Sequence, residues 1–220
     1  DIDAAVLERI YGVTALLLLG PATPLLFQGQ EFAASAPFLY FADHKAELRG
    51  PIREGRQTFL GQFDSLRSAD VVECLPSPVD ARSFERSRLD HSERERHAEA
   101  VALHADLLAL RRDDGVLGSA ALRVDGAVLS AGAFVLRFFG GAAGDRLLLT
   151  NLGCDLDLTP APEPLLAPPH DVEWTLLWSS ELPRYGGQGT PEIHPGDVFH
   201  LPGNCAVVLA APAGRPYDDR

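Results

Sequence analysis

The residues best suited to chemistry lie between positions 27 and 44, where aromatic and polar side chains are mixed over a short stretch. The candidate site residues are three aromatic and three polar ones: Glu31, Phe38, Tyr40, Phe41, Asp43 and His44. A sugar has an apolar C–H side that packs on flat rings and hydroxyls that bond to short polar groups. The stretch therefore predicts a carbohydrate-binding surface. The alternative is that the rings form a loop core and that Asp43 and His44 make a local cap or ion pair; residue types alone leave both interpretations open.

Other catalytic or metal sites find little support in the residue spacing. Glu31 and Asp43 follow the same predicted strand, so they are not expected to face each other as a nucleophile and an acid. His97 and His104 are seven residues apart on a predicted helix, whereas helical metal ligands are about three or four apart, and both are expected to be solvated. The cysteines show no zinc spacing. We therefore expect no metal and no cofactor.

The composition is that of an acidic globular protein. The chain has 220 residues, a formal net charge of −12, 46% hydrophobic residues, three cysteines and no methionine. The negative charge disfavours a nucleic-acid partner, because phosphate binding needs an excess of positive charge. Three distant cysteines argue against a disulfide framework and favour a cytoplasmic location. The missing methionine predicts a processed or partial chain.

A helix and a strand are predicted before the candidate site. The apolar positions of a helix over residues 3–19 recur at helical spacing: Val6, Ile10, Val13 and Leu17. Further apolar residues extend this face nearly all round the helix, which is therefore expected to be buried: Tyr11, Leu16, Leu18 and Leu19. Gly20-Pro21 ends this helix, and residues 23–27 predict a short strand of a parallel sheet. Because glycine and proline interrupt the uncharged stretch, no membrane span is expected. Ligand sites of α/β folds lie just beyond the carboxyl ends of such strands, where the candidate residues are.

A second long helix is predicted after an irregular region. Residues 28–81 show little periodicity apart from a charged helical stretch at 53–63. Ser92 and Glu95 have the spacing of a capping box, in which each side chain satisfies a free backbone N–H. A helix is therefore expected from Ser92 to about residues 113–115.

The hydrophobic period changes to two after residue 115, which predicts short strands between glycine and proline turns. They are expected at Ala121–Val124, Val128–Leu129, Phe134–Phe139, Arg146–Asn151, Asp155–Leu158, Glu173–Trp178, Asp197–Leu201 and Cys205–Ala210. Such a series is typical of an antiparallel β-sandwich. Trp174 and Trp178 are expected on the same side of one strand, in the core.

Three motifs resemble a known family of the α-amylase superfamily, the maltooligosyltrehalose trehalohydrolases. They are Thr23–Phe32, Ala33–His44 with Arg53-Glu-Gly-Arg56, and Phe84–Asp90 with the leucine-rich helix that ends at Leu110-Arg-Arg112. Two residues depart from the family pattern. Gln30 stands where a second acidic residue is common, and His91 stands where an aromatic residue is expected.

The resemblance implies an α/β plus all-β fold. Residues 1–115 would be the last unit of a (β/α)8 barrel, and residues 116–220 would be the C-terminal antiparallel β-sandwich. Members of this family are glycoside hydrolases of trehalose biosynthesis, which release trehalose by retaining cleavage of an α-1,4 bond. Such cleavage uses two carboxylates about 5–5.5 Å apart. The family's catalytic carboxylates would lie upstream of this chain, so the chain alone is expected to be inactive.

The resemblance also implies the partners. Maltooligosyltrehalose or a related α-glucan would be the substrate, and the six candidate residues would help to shape the substrate end of the cleft. The apolar faces of helix 3–19 and strand 23–27 would be covered by the sandwich, by a second copy of the chain or by the remainder of the parent enzyme. Two alternatives stay open: another α-glucan enzyme such as a branching enzyme, and a non-enzymatic carbohydrate-binding module centred on the sandwich.

Overall fold

The computed structural model describes residues 4–66, 68–119, 122–159, 161–190, 193 and 199–212. Its α-helices are α1 (Ala4–Leu19), α2 (Arg49–Leu60), α3 (Ala69–Cys74), α4 (Ala81–Arg86), α5 (Glu93–Arg96) and α6 (Ala98–Asp113). Its strands are β1 (Arg123–Val128), β2 (Ala133–Phe139), β3 (Asp145–Asn151), β4 (Leu156–Leu158), β5 (Thr175–Ser179), β6 (Phe199–Leu201) and β7 (Cys205–Ala211). These elements form two compact units, the first from residues 1–31 and 97–220 and the second from residues 32–96.

The strands of the first unit pair antiparallel throughout. The main sheet has the order β1-β2-β3-β7-β5, and β4 pairs with β6 in a separate two-stranded sheet. The two strands predicted between residues 121 and 129 are one continuous strand, β1, because its backbone pairs with β2 without a break. Ala121 and Asp197, which begin two predicted strands, lie outside the described residues. The antiparallel C-terminal fold is confirmed.

The two faces of the main sheet are covered by different elements. Successive side chains of a strand point to opposite faces, so alternate residues of β3 and β7 divide between two cores. On one face, strand residues pack with β6 and the loop before β5, in a buried cluster: Val135, Leu147, Leu149, Leu166, Phe199, Leu201, Val207 and Leu209. On the other face, α1 packs against β3 and β7.

Helix α1 is buried over only part of the apolar face that is predicted to run nearly all round it. Its buried apolar side chains are Tyr11, Ala15, Leu18 and Leu19, and Thr14 is buried beside them. The part of the predicted face that carries Val6, Ile10 and Val13 is exposed, with these side chains between 40% and 50% accessible. Both stripes are apolar, so periodicity could not choose between them. Close packing against the sheet determines which stripe is buried. The helix approaches the sheet at Gly12, where an added Cβ would lie only 3.2 Å from Cδ2 of Leu152.

The strand predicted at residues 23–27 is not present. This segment has irregular backbone, and Leu25 and Phe27 are 86% and 52% exposed. A strand is defined by hydrogen bonds to a neighbour, and the described residues provide no paired strand here. The predicted domain boundary at residue 115 stays a prediction; the compact units divide the chain at residues 31 and 96 instead.

The prediction that Trp174 and Trp178 share one side of a strand is wrong. A bulge between Leu176 and Trp178 shifts the register of β5 on β7, so Trp178 pairs with Val208. An extra residue in a strand reverses which face the following side chains occupy. Trp174 packs against the cluster that contains Phe199, whereas Trp178 is buried near Tyr185.

The helix predicted from Ser92 is divided into α5 and α6, with His97 between them at φ −113° and ψ 40°. The predicted capping box does not form. The Ser92 hydroxyl donates to the Asp90 carboxylate at 2.7 Å, and that carboxylate also accepts the Ser92 backbone N–H. A carboxylate is a stronger acceptor than a serine hydroxyl, so a turn closed by the Asp90 side chain forms in place of the predicted cap.

His104 is also placed differently from the prediction. It is 3% exposed, on the side of α6 that carries the buried residues Leu103 and Leu107, and its Nδ1 lies 2.8 Å from the Ala100 carbonyl oxygen. Helix α6 packs against α1, which makes part of its surface inaccessible to solvent. Among the helices described, none combines the length and the apolar character that a membrane crossing requires.

Candidate functional site

The irregular segment that carries most of the candidate residues is anchored to α5 by one carboxylate. Both the backbone N–H and the hydroxyl of Ser35 donate to Glu93, at 2.9 and 2.5 Å. The Glu93 side chain is only 7% exposed and also contacts Arg96 at 3.3 Å. The bonds from Ser35 hold the pKa of Glu93 below its usual value, so this anchor is ionised at neutral pH.

Two further hydrogen bonds fix the same segment. The Leu39 backbone N–H donates to the Ser87 hydroxyl at 3.0 Å, and this hydroxyl donates to the Ser83 carbonyl of α4 at 2.7 Å. The Ala42 N–H donates to the Pro78 carbonyl at 2.8 Å. Residues 35–42 therefore have a defined path although they form neither helix nor strand.

The aromatic rings lie on the surface between these anchors. Phe38, Tyr40 and Phe41 are 56%, 47% and 37% exposed. The Phe38 and Phe41 rings are 6.2 Å apart, and Phe41 meets Phe84 edge to face at 5.2 Å. Their exposure favours a binding surface over the core of a loop. Asp43 and His44, both described, form no ion pair with each other, so the alternative of a local pair finds no support.

Two cavities open beside these rings. One of about 330 Å³ is lined by Phe38, Tyr40, Arg53, Arg56 and residues 75–78. The other, of about 540 Å³, is lined by Phe41, Asp43, Arg49, Asp80 and Phe84. Both volumes lie in the range of about 300–1,000 Å³ that is typical of small-molecule sites.

Asp80 places a fixed negative charge at the second cavity. Its carboxylate accepts hydrogen bonds from the Arg82 side chain, the shortest at 2.6 Å, and from the Arg82 backbone N–H at 2.9 Å. The side-chain hydrogen bonds lower the pKa of Asp80 to about 2, with a smaller contribution from the backbone bond. The same backbone bond caps the start of α4, next to Phe84.

The structure brings together five of the six predicted residues in the second unit. Phe38 and Tyr40 line one cavity, Phe41 and Asp43 line the other, and His44 is exposed beside Asp43. Glu31 belongs to the first unit, in the 3₁₀ turn Gln30–Phe32. The role of all six in binding stays a prediction.

Sequence reasoning missed the arginines that line the cavities as site residues. Arg49, Arg53 and Arg56 follow a spacing of four and three residues on α2, which places them on one face of a helix. The signal was present in the charged helical stretch, but it could not show that this face meets the aromatic segment. Within the described residues, no group of three or more acidic, histidine or cysteine side chains could hold a metal ion.

The ring of His91 packs against an aromatic side chain. Its ring lies 5.9 Å from that of the buried Phe32, tilted by 46°. Arg94 covers the same phenylalanine at 5.1 Å. A ring is therefore present at the position where the resemblance predicts an aromatic residue.

Among solved structures, the architecture is similar to that of α-amylase enzymes. A Salmonella typhimurium protein described as an alpha amylase matches 92% of this chain and 30% of its own, with a TM-score of 0.63 and 25% identity. Isomaltulose synthase from Klebsiella sp. LX3 matches 93% of this chain and 38% of its own, with a TM-score of 0.55 and 13% identity. The second likeness concerns the fold alone.

Curated relatives are more specific. Malto-oligosyltrehalose trehalohydrolase of Deinococcus radiodurans is 43% identical over 160 residues, which are 70% of this chain and 25% of the relative. The enzyme of the same name from Arthrobacter ramosus is 42% identical over 102 residues, 45% of this chain and 17% of the relative. Residues 121–209 match the family described as Domain of unknown function (DUF3459). The predicted resemblance is confirmed, and the chain spans about a quarter or less of the length of these relatives.

Proposed function

We propose that this chain is the C-terminal portion of a glycoside hydrolase that releases trehalose from maltooligosyltrehalose. The observation that carries the proposal is the 43% identity over 160 residues to the trehalohydrolase of Deinococcus radiodurans. The α-amylase-like fold is consistent with it. In this proposal, α1 and the residues that follow it form the end of a (β/α)8 barrel, and the sandwich supports that barrel.

The second unit would contribute to substrate binding. The exposed rings of Phe38, Tyr40 and Phe41 would pack on the apolar sides of glucose units, and Asp43 would accept hydrogen bonds from sugar hydroxyls. Glu31 and His44 are proposed to add polar contacts. No residue of this chain is assigned to the nucleophile or the acid. The reaction would use two carboxylates about 5–5.5 Å apart from elsewhere in the parent polypeptide.

The reading frame upstream of the Asp1 codon gives the first test. The proposal requires further barrel strands in the same frame, with carboxylate motifs that include Asn-His-Asp. A stop codon or an unrelated domain there would refute it. The 220-residue chain by itself should release no trehalose from maltooligosyltrehalose, and release by this chain would show that its own side chains suffice.

The product of the complete polypeptide distinguishes the substrates. We expect free trehalose and a maltooligosaccharide that first appears as its α-anomer in proton NMR, because retaining cleavage keeps the configuration. Maltooligosaccharides without a terminal trehalose are the control. If the polypeptide instead forms α-1,6 branches from linear glucan, the branching-enzyme alternative is correct.

The aromatic surface is tested in the same polypeptide. Tyr40→Ala and Phe41→Ala should raise KM for maltooligosyltrehalose, because each removes a stacking face. Phe63→Ala is the matched control, since Phe63 is 47% exposed and packs on Phe59. An unchanged KM in both variants would remove these rings from the proposed site.

A sandwich-centred binding module is less consistent with the structure. Such a module would need exposed aromatic side chains on one sheet face. Trp178 is 6% exposed, and Trp174 donates its indole N–H to the Leu166 carbonyl at 2.8 Å while it packs on the core. Calorimetric titration of the chain with maltooligosaccharides tests this alternative directly, with Trp174→Ala as the informative variant.

A further inference from the structure

Helix α2 brings two arginines to the same cavity. Arg53 and Arg56 are three residues apart on α2, so their side chains leave the same side of the helix. Both line the cavity of about 330 Å³, together with Phe38 and Tyr40. We call this space the arginine cavity. It combines two positive charges with aromatic rings inside one compact unit.

The two arginines lack acidic partners, although acidic residues are in excess. The chain has 31 acidic and 19 basic residues. In the part of the chain that the structure describes, neither Arg53 nor Arg56 has a hydrogen bond or an ion pair to a carboxylate. By contrast, Arg137 and Arg146 each contact an aspartate, at 2.8 and 2.9 Å. Two neighbouring cations repel each other, and a bound anion would relieve that repulsion.

The guanidinium of Arg56 lies over two aromatic rings. Its guanidinium carbon lies 4.8 Å from the centre of the Tyr40 ring and 5.5 Å from that of Phe59. A guanidinium that stacks on aromatic faces keeps its N–H groups in the plane at its edge. These groups form a fork that matches two oxygens of a phosphate.

Two other residues that line the arginine cavity, Ser77 and Pro78, are fixed by hydrogen bonds to their carbonyls. The Pro78 carbonyl accepts the Ala42 N–H at 2.8 Å, and the Ser77 carbonyl accepts the Ser83 hydroxyl at 2.7 Å. A rigid wall lowers the entropy lost on binding, because little has to be ordered when a ligand enters. The volume fits a small molecule, and the exposed rings fit the C–H side of a sugar.

We propose that the arginine cavity binds a phosphorylated sugar, with the phosphate between Arg53 and Arg56 and the sugar ring on Tyr40. The site goes beyond the proposed function, whose substrate is uncharged. It uses the positive charge of α2, which a neutral glucan would leave unpaired. The ligand is defined by its chemistry: a monophosphate ester on a small sugar.

Calorimetric titration of the 220-residue chain with glucose 6-phosphate tests the proposal. We expect saturable binding with one site per chain that weakens as salt is raised, because an ion pair is screened. Glucose, and inorganic phosphate alone, should bind at least about tenfold more weakly, which corresponds to about 1.4 kcal/mol. No saturable binding of the ester would overturn the site. Equal binding of inorganic phosphate would overturn the role of the sugar ring, and equal binding of glucose would overturn the role of the arginines.

Single variants locate the binding energy. Arg53→Gln and Arg56→Gln should each raise the dissociation constant for glucose 6-phosphate at least about tenfold, since each removes a charged donor. Arg56→Lys should fall between them and the unaltered chain, because it keeps the charge and loses the fork. Circular dichroism of each variant confirms that it is folded.

Arg88→Gln is the matched control. Arg88 is exposed in the same unit, and its replacement makes the same change in net charge. Binding should be unchanged in this variant, and a loss equal to that of Arg56→Gln would show that only overall charge matters. The titration contains no glucan, so its failure would leave the proposed function untouched, and failure of the trehalose assay would leave this site untouched.

Discussion

Replacement of Arg111 tests how the end of α1 is joined to the rest of the first unit. Its guanidinium donates to the carbonyls of Leu18 and Gly20 at 2.7 Å each, to Ala22 at 2.9 Å and to Gly118 at 3.2 Å. The last carbonyls of a helix have no partner within it, and a cation there is also favoured by the helix dipole. Arg111→Ala leaves these acceptors without their donor.

The expected loss follows from the position of each bond. Three of the four acceptors are partly buried, and the bond to Ala22 is exposed. We assign a loss of about 1 kcal/mol to each partly buried hydrogen bond and none to the exposed one. This value is below the range for hydrogen bonds of charged groups, because water can reach the carbonyls once the side chain is truncated. The free energy of unfolding should fall by about 3 kcal/mol. Arg111→Lys should lose less, because an ammonium keeps the charge but cannot span all four oxygens.

Urea unfolding followed by tryptophan fluorescence measures this loss. Both tryptophans of the chain lie in the first unit, so the signal reports the unit that contains Arg111. With a slope of about 2–3 kcal/mol per molar urea, the midpoint should fall by about 1–1.5 M. Arg112→Ala is the control, because Arg112, within the described part of the chain, pairs with the exposed Asp113 alone, at 2.7 Å. If Arg111→Ala lowers the midpoint no more than this control, the four hydrogen bonds do not join the helix end to the unit.

Three further predictions concern buried groups of the first unit. Arg137→Ala should lower the free energy of unfolding by about 3–5 kcal/mol in urea titrations, because it leaves the mostly buried Asp145 unpaired. Arg137→Met with Asp145→Leu should recover only part of that loss, because the carbonyls of Leu165 and Ala167 still lack the donor that Arg137 supplied. Burial raises the pKa of the Cys205 thiol to about 12, so an aromatic disulfide reagent at pH 8 should titrate two thiols in the folded chain and the third only after unfolding. Burial, with a smaller contribution from Glu99, raises the pKa of Tyr11 to about 12 from 10.0. The folded state thus favours the neutral phenol, and stability that is complete below pH 10 should fall as the pH rises from 10 to 12, a decline that Tyr11→Phe should reduce.

Local patterns predicted those elements whose shape depends on neighbouring residues. The end of α1 at Leu19 was predictable because Gly20-Pro21 cannot continue a helix. Strands β2 and β3 lie within one residue of their predicted bounds, since period-two alternation and flanking glycines mark both ends. The continuity of β1 was not predictable, because Asp125-Gly126 has the composition of a turn and is held in the strand by its pairing with β2.

Features that depend on distant residues were mispredicted. The stripe of α1 that is buried depends on the sheet it meets, and two apolar stripes give the same helical period. A single extra residue in β5 sends Trp178 to the face opposite Trp174, and no composition signal marks this bulge. His104 is buried for the same reason, because the partner of α6 is α1, about 90 residues earlier in the chain.

The candidate site also has a part that was predictable, its residue types, and a part that was not, the hydrogen bonds that position them. Residue types identified Phe38, Tyr40 and Phe41 as sugar-binding candidates, but their positions are set by hydrogen bonds that span 58 residues to Glu93 and 48 residues to Ser87. Neither anchor touches either cavity as lined above, so no binding motif would include it. Each acts by fixing the backbone between the rings, since an irregular segment has no ladder of its own to hold it. A replacement such as Ser87→Ala would therefore shift the aromatic rings without removing a residue that lines either cavity. The sequence shows which aromatic residues are present, whereas the fold of the second unit determines where their rings lie.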